Sequence, residues 1–208
     1  MDDATLTQDG LKTGGTGKVL LLACGALARE ILDVTRTKGW DHLDLHCLPA
    51  KLHNTPDQIT PAVAAALEIY QPQYDRVFVV YADCGTGGQL QTLCAERGVD
   101  MVAGPHCYSF FEGNAAFEAK GEMTCFYLTD FLVRQFDAFV IKPLGLDRHP
   151  QLRDMYFAHY TTLVYQSQNP TDALLAKAQW AADQLGLDFE HRHTGYGDLV
   201  PALQGAAG

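Results

Sequence analysis

Val77-Phe78-Val79-Val80-Tyr81-Ala82-Asp83-Cys84-Gly85-Thr86-Gly87-Gly88 decides the fold. An unbroken apolar run rich in β-branched residues reads as a strand buried on both faces, the pattern of a parallel sheet. The glycines that follow it mark a turn, here into a helix expected to end near Arg97. The same grammar occurs upstream, where Val19-Leu20-Leu21-Leu22-Ala23 runs into Cys24-Gly25 and then a helix over Ala26–Lys38 that stops at Gly39.

Outward from these two units the alternation continues. Strands are predicted at Lys18–Ala23, Leu43–Cys47, Arg76–Tyr81, Met101–Ala103, Cys125–Leu128, Leu163–Gln166 and Leu187–His191. Helices are predicted at Thr60–Ile69, with Pro61 in its first turn, from near Cys107, and over Thr171–Leu185 before Gly186. Strands alternating with helices imply an α/β protein with a mostly parallel sheet covered on both faces, a Rossmann-like three-layer sandwich. One domain over residues 18–205 is expected, behind a polar, aperiodic leader of residues 1–17 expected to be flexible.

Composition narrows the function classes. The chain has 208 residues, 47% hydrophobic and 19% charged, with a formal net charge of −10. No Lys/Arg cluster offers phosphate neutralisation, which argues against nucleic acid as a partner. No apolar run approaches the ~20 residues that span a bilayer. Met1-Asp2-Asp3 lacks the basic start of a secretion signal, so a reducing cytoplasm is the expected compartment. There, six cysteines point to metal binding, catalysis or packing before disulfides.

Three of those cysteines stand where an apolar run gives way to a turn or helix: Cys24, Cys84, and Cys107 after Val102-Ala103-Gly104-Pro105-His106. In a parallel sheet such ends share one edge, where sites are built. A thiol just ahead of a helix gains from exposed amides and the helix dipole, which favour the thiolate. Gly85, Gly87 and Gly88 would let backbone approach a ligand above Cys84, so they are candidate cofactor-binding positions. Asp83 would oppose thiolate formation unless a cation is present. His46, His53 and His106 are ligand-type neighbours. Thiolate and imidazole together suit zinc, and three thiolates with an open corner suit an iron–sulfur cluster.

Two site readings follow. In the first, Cys24, Cys84, Cys107 and His53 hold a metal ion, zinc first, or a cluster. In the second, Cys84 is a nucleophile and His106 its base, acting on a small-molecule substrate. His53 also has a plain reading as a hydrogen-bonded loop residue. Cys94 and Cys125 read as core, Cys47 stays open, and His191-Arg192-His193 reads as a solvated stretch before a metal tract. Glu112, Glu122 and Asp130 are acid–base candidates only if they face the cysteine edge. Gly14-Gly15-Thr16-Gly17-Lys18 fails as a phosphate loop, because Lys12 and Val19 stand where the motif needs glycine and a hydroxyl residue.

Taken in order, Ala23-Cys24, Leu52-His53-Asn54-Thr55-Pro56, Tyr81-Ala82-Asp83-Cys84-Gly85 and Pro105-His106-Cys107-Tyr108 resemble the family known as domain of unknown function 1638. Thr124–Leu128, the stretch Tyr160–Tyr165 and Gly197-Asp198 extend the resemblance, which puts the family's marked positions on Cys24, His53, Cys84, His106 and Cys107. Ala82 stands where the family pattern has glycine, and no aspartate separates His106 from Cys107. The resemblance implies association with corrinoid-dependent methyl transfer in one-carbon metabolism, with a corrinoid or methyltransferase protein as partner. A non-catalytic accessory role in such a system is the third reading.

Overall fold

The computed structural model describes residues 1–13 and 17–208, so Gly14-Gly15-Thr16 of the rejected phosphate-loop reading lie outside the described residues. The strands are β1 (Leu11–Lys12), β2 (Val19–Cys24), β3 (Leu43–Leu48), β4 (Arg76–Val80), β5 (Asp100–Met101), β6 (Cys125–Thr129), β7 (Thr162–Ser167) and β8 (Asp188–His193). The helices are α1 (Asp3–Gln8), α2 (Ala28–Lys38), α3 (Ile59–Tyr70), α4 (Gln89–Glu96), α5 (Cys107–Glu112), α6 (Asn114–Lys120), α7 (Asp130–Arg134), α8 (Arg153–Tyr156), α9 (Asp172–Leu185) and α10 (Leu199–Ala207). The α/β class and the parallel pairing are as expected.

The described strands form two sheets, in the orders β1-β3-β2-β4-β5 and β6-β7-β8. β5 pairs through only two residues, Asp100 and Met101 against Phe78 and Val79, and the first sheet ends there. The chain likewise falls into two compact units, Met1–Phe110 with Asp198–Gly208, and Phe111–Gly197.

In the first unit, β2 lies between β3 and β4 and is parallel to both. Leu20, Leu21, Leu22, Val79 and Val80 are buried with Ile31 of α2 and Ile59 and Val63 of α3, as the continuous apolar runs require. The segment expected to be a flexible leader carries structure instead. Asp2 caps α1 by accepting from the Thr5 amide at 3.1 Å, Leu6 is buried, and β1 pairs antiparallel with β3. One helical turn and a two-residue strand are too short to leave a periodic signature, which is why composition alone misreads this stretch.

Gly25 controls how closely these pieces meet. A Cβ there would stand 2.5 Å from the Leu6 carbonyl oxygen, 3.1 Å from that of Leu48 and 3.2 Å from the Ala50 amide nitrogen. All three are backbone atoms, so there is no side chain to move aside.

In the second unit, β7 lies between β6 and β8, again parallel to both. One core joins Leu128, Val133, Phe136, Leu163, Tyr165, Ala178 and Leu185. Arg192 of β8 donates to Glu122 at 2.7 and 2.8 Å, and also pairs with Glu190 and Glu112. The guanidinium holds the Glu122 carboxyl down at about 2 against the ordinary 4.5.

Two outcomes follow. Gly25→Ala should lower stability by about 1–3 kcal/mol in urea unfolding, because the new methyl has nowhere to go. Glu122 has a depressed folded pKa, so its contribution is full above pH 4.5 and is lost as pH falls towards about 2. Glu122→Gln should therefore be less stable than wild type near neutrality, with the gap closing in that acid window.

Candidate thiol-imidazole site

Parallel register fixes the first members of the site. Ala23 pairs with Cys47 on one side and Val80 on the other, and Cys24 pairs with Leu48. Cys24, Cys47 and the Tyr81 that follows β4 therefore finish at one sheet edge, all buried. Beyond β4 the chain stays tied to its neighbour: the Asp83 and Cys84 amides donate to the Gly104 and Pro105 carbonyls at 3.0 and 2.9 Å. That bond pair brings His106-Cys107 alongside Cys84.

Cys84 has a φ of +50°, the one non-glycine residue at positive φ among the described residues. Such a conformation costs a side-chain-bearing residue about 1–3 kcal/mol and persists where its surroundings enforce it. The enforcing element is Asp83. Its carboxylate accepts from the Thr86 hydroxyl at 2.8 Å and from the Gly87 and Gly88 amides at 3.2 and 2.7 Å. Burial opposes that charge, but the amides outweigh it and the carboxyl sits below its usual range. Gly85, Gly87 and Gly88 all have positive φ. These glycines close the turn around Asp83, and two of their amides are committed to it.

His53 reaches the edge from the 3₁₀ segment Ala50–Asn54, which starts where Gly25 admits the Ala50 backbone. Its Nδ1 lies 3.2 Å from the Ala50 carbonyl oxygen and 3.6 Å from Cys24 Sγ. A carbonyl only accepts, so Nδ1 carries the proton and Nε2 holds the lone pair of the neutral ring. The ring stacks over Tyr81 with centroids 6.2 Å apart. A side chain at Gly85 would touch Pro56 at 3.5 Å, so the Cys84 turn packs on the loop that follows His53.

The electrostatics separate the residues. Burial pushes the thiols of Cys24 and Cys107 up to about 12 and raises that of Cys47. Cys84 is raised by burial too, but hydrogen bonding with His53 and that ring's charge when it is protonated pull the other way. Burial draws the His53 imidazole down, yet Cys84 and the Ala50 carbonyl outweigh it and the net shift is upward. The direction that holds for Cys84 is a neutral thiol at rest, because burial dominates at the sulfur.

Electrostatics thus couple Cys84 to His53, whose Nδ1 stands 3.6 Å from Cys24 Sγ. His106, expected in that role, stacks on Tyr108 at 4.8 Å and is lowered by burial. His46 packs tilted against Tyr70, with ring centroids 4.7 Å apart. Cys94 is buried in α4 and Cys125 is partly buried in β6. Glu112 and Glu122 serve Arg192, while Asp130 accepts from the Tyr165 hydroxyl and from the Gln168 and Asn169 amides. Among the described residues, no group of three or more His, Cys, Asp and Glu side chains is disposed to hold a metal ion.

Tyr81 is not among the residues the sequence singles out, although it directly follows the strand that leads to Cys84. Its hydroxyl is wholly buried and has no hydrogen-bonding N or O partner. The neighbouring Cys24, Cys47 and Cys84 add to the burial that keeps it from ionising. An unsatisfied buried hydroxyl costs about 1–3 kcal/mol. Tyr81→Phe should therefore be neutral or stabilising in thermal unfolding of the ligand-free protein. A loss above about 1 kcal/mol would mean that the hydroxyl is bonded to Cys24.

The model of one family, described as a protein of unknown function (DUF1638), matches residues 47–203. The chain belongs to that family. No curated protein and no solved structure matches it. Among the described residues no helix is long and apolar enough to cross a membrane.

Proposed function

We propose that this member of the DUF1638 family is a thiol-dependent enzyme acting on a small electrophilic substrate, with Cys84 as nucleophile and His53 as base. The observation that carries the reading is the His53 imidazole, anchored by its Nδ1 3.2 Å from the Ala50 oxygen at the edge where the thiols gather, where its charge acts on Cys84 against burial. A nucleophile beside a base that a third group orients is the arrangement covalent catalysis requires. Nε2 takes the thiol proton, the sulfur lone pair forms a bond to the electrophilic carbon, and the leaving group departs with the proton that His53 returns. The forced φ of Cys84 holds the sulfur at the turn, and Gly85 and Gly87 add no side chain of their own there. The implied methyl-transfer setting makes methyl donors the first electrophiles to try.

A second reading is a soft metal site on Cys24, Cys84, Cys107 and His53, with zinc or an iron–sulfur cluster bound. The 3.6 Å between Cys24 Sγ and His53 Nδ1 favours it. Ligands at ~2.3 and ~2.0 Å on a tetrahedral zinc stand about 3.5 Å apart. Metal would also deprotonate thiols that burial otherwise keeps neutral. The Ala50 carbonyl weighs against it, because it uses the nitrogen nearest Cys24 as a donor.

The test is alkylation of each cysteine by iodoacetamide, resolved by peptide mass spectrometry, beside elemental analysis of untagged protein purified without oxygen. The proposal expects metal-free protein in which Cys84 reacts first. His53→Ala should slow that reaction about 10²-fold, and His106→Ala should leave it nearly unchanged. Equal rates in wild type and His53→Ala would overturn it. Stoichiometric metal with protected thiols would establish the second reading instead.

A further inference from the structure

We propose that His191 and His193, with Ser167 between them, form a binding site for a borderline divalent transition metal ion in the second unit. The two histidines stand two residues apart on β8, so their side chains leave the same face of the sheet. In register they lie opposite Tyr165 and Ser167 of β7. His191 Nε2 is 2.9 Å and His193 Nδ1 is 3.2 Å from the same atom, Ser167 Oγ. Two ring nitrogens on neighbouring residues of one face are therefore aimed at one point.

The serine cannot satisfy both as acceptors. A hydroxyl has one proton, so it donates to one ring and needs the other to turn an N–H towards it. A metal ion between the two rings and the serine would accept a lone pair from each imidazole, with the serine oxygen or water as a further ligand. Imidazole nitrogen suits zinc, cobalt, nickel and copper.

The scaffold is built to keep the aim. Ser167 is fully buried, and its carbonyl accepts from the Thr194 and Gly195 amides at 3.0 and 3.2 Å. Tyr165 stacks on the His191 ring with centroids 5.3 Å apart, which restricts its rotation. Both histidines are exposed, so an ion enters without opening the fold. Arg192, the cation between them in sequence, points to the opposite face and is neutralised by Glu112, Glu122 and Glu190. The stretch read from sequence as solvated thus presents two converging donors on one face and keeps its positive charge on the other.

The site stands whether or not Cys84 is a nucleophile, and Co²⁺ separates the two. Cobalt on thiolates shows an intense sulfur-to-metal absorption band, which cobalt on imidazoles lacks. Titration of the metal-free full chain should show one equivalent of Co²⁺ bound without that band. His191→Ala and His193→Ala should each weaken this equivalent roughly tenfold or more, and Ser167→Ala should weaken it less. His191→Gln, with a thermal midpoint compared to wild type, guards against loss of fold. Unchanged cobalt affinity in the histidine variants, or no cobalt bound outside the thiolate band, would overturn the proposal.

Discussion

The parallel register of β2 between β3 and β4 is the constraint on which the candidate site depends. Pairing Ala23 with both Cys47 and Val80 leaves Cys24, Cys47 and Tyr81 at one edge whatever the loops do. The loops then complete the site by close backbone approach. Gly25 has no side chain, so α1 and the Ala50–Asn54 segment both reach the end of β2, and His53 arrives beside Cys24. The paired amides of Asp83 and Cys84 bring the third cysteine, Cys107, to the same neighbourhood.

The residues assembled there are individually costly. Several thiols, an imidazole and a tyrosine hydroxyl share a corner in which burial disfavours charge. Cysteines that only filled space would need neither a histidine tied to a backbone carbonyl nor a residue held at positive φ. Cys84 differs from the rest in two ways: its φ is +50°, and the charge of His53 opposes the burial that raises its thiol. Catalytic groups are often found where environment sets neighbouring pKa values apart in this way.

Much of this was legible in the sequence because it rests on local pattern. Apolar runs ending in Cys24 and Cys84 gave the strands, and their common direction gave the shared edge. The placement of His53 was not legible. His106 sits next to Cys107 in sequence, whereas His53 reaches the site through a 3₁₀ segment whose position depends on the missing Cβ of Gly25. The ordered first residues escaped notice because one capped turn and a two-residue strand carry no period. The division of strands between two sheets was not legible, because strand–helix alternation reads the same whether one sheet or two results. Ser167 with His191 and His193 was hidden for a different reason: cross-strand register joins residues that composition leaves unrelated.

The pairing of Cys84 with a correctly oriented His53 is tested most directly by the tautomer of that ring. Long-range ¹H–¹⁵N correlation spectra of histidine-labelled protein, recorded where the imidazole is neutral, report which nitrogen carries the proton. A proton on Nδ1, donated to the Ala50 carbonyl, leaves Nε2 free as the base and is the predicted result. A proton on Nε2 would leave the ring without a lone pair for the Cys84 thiol on that nitrogen and would contradict the proposed chemistry.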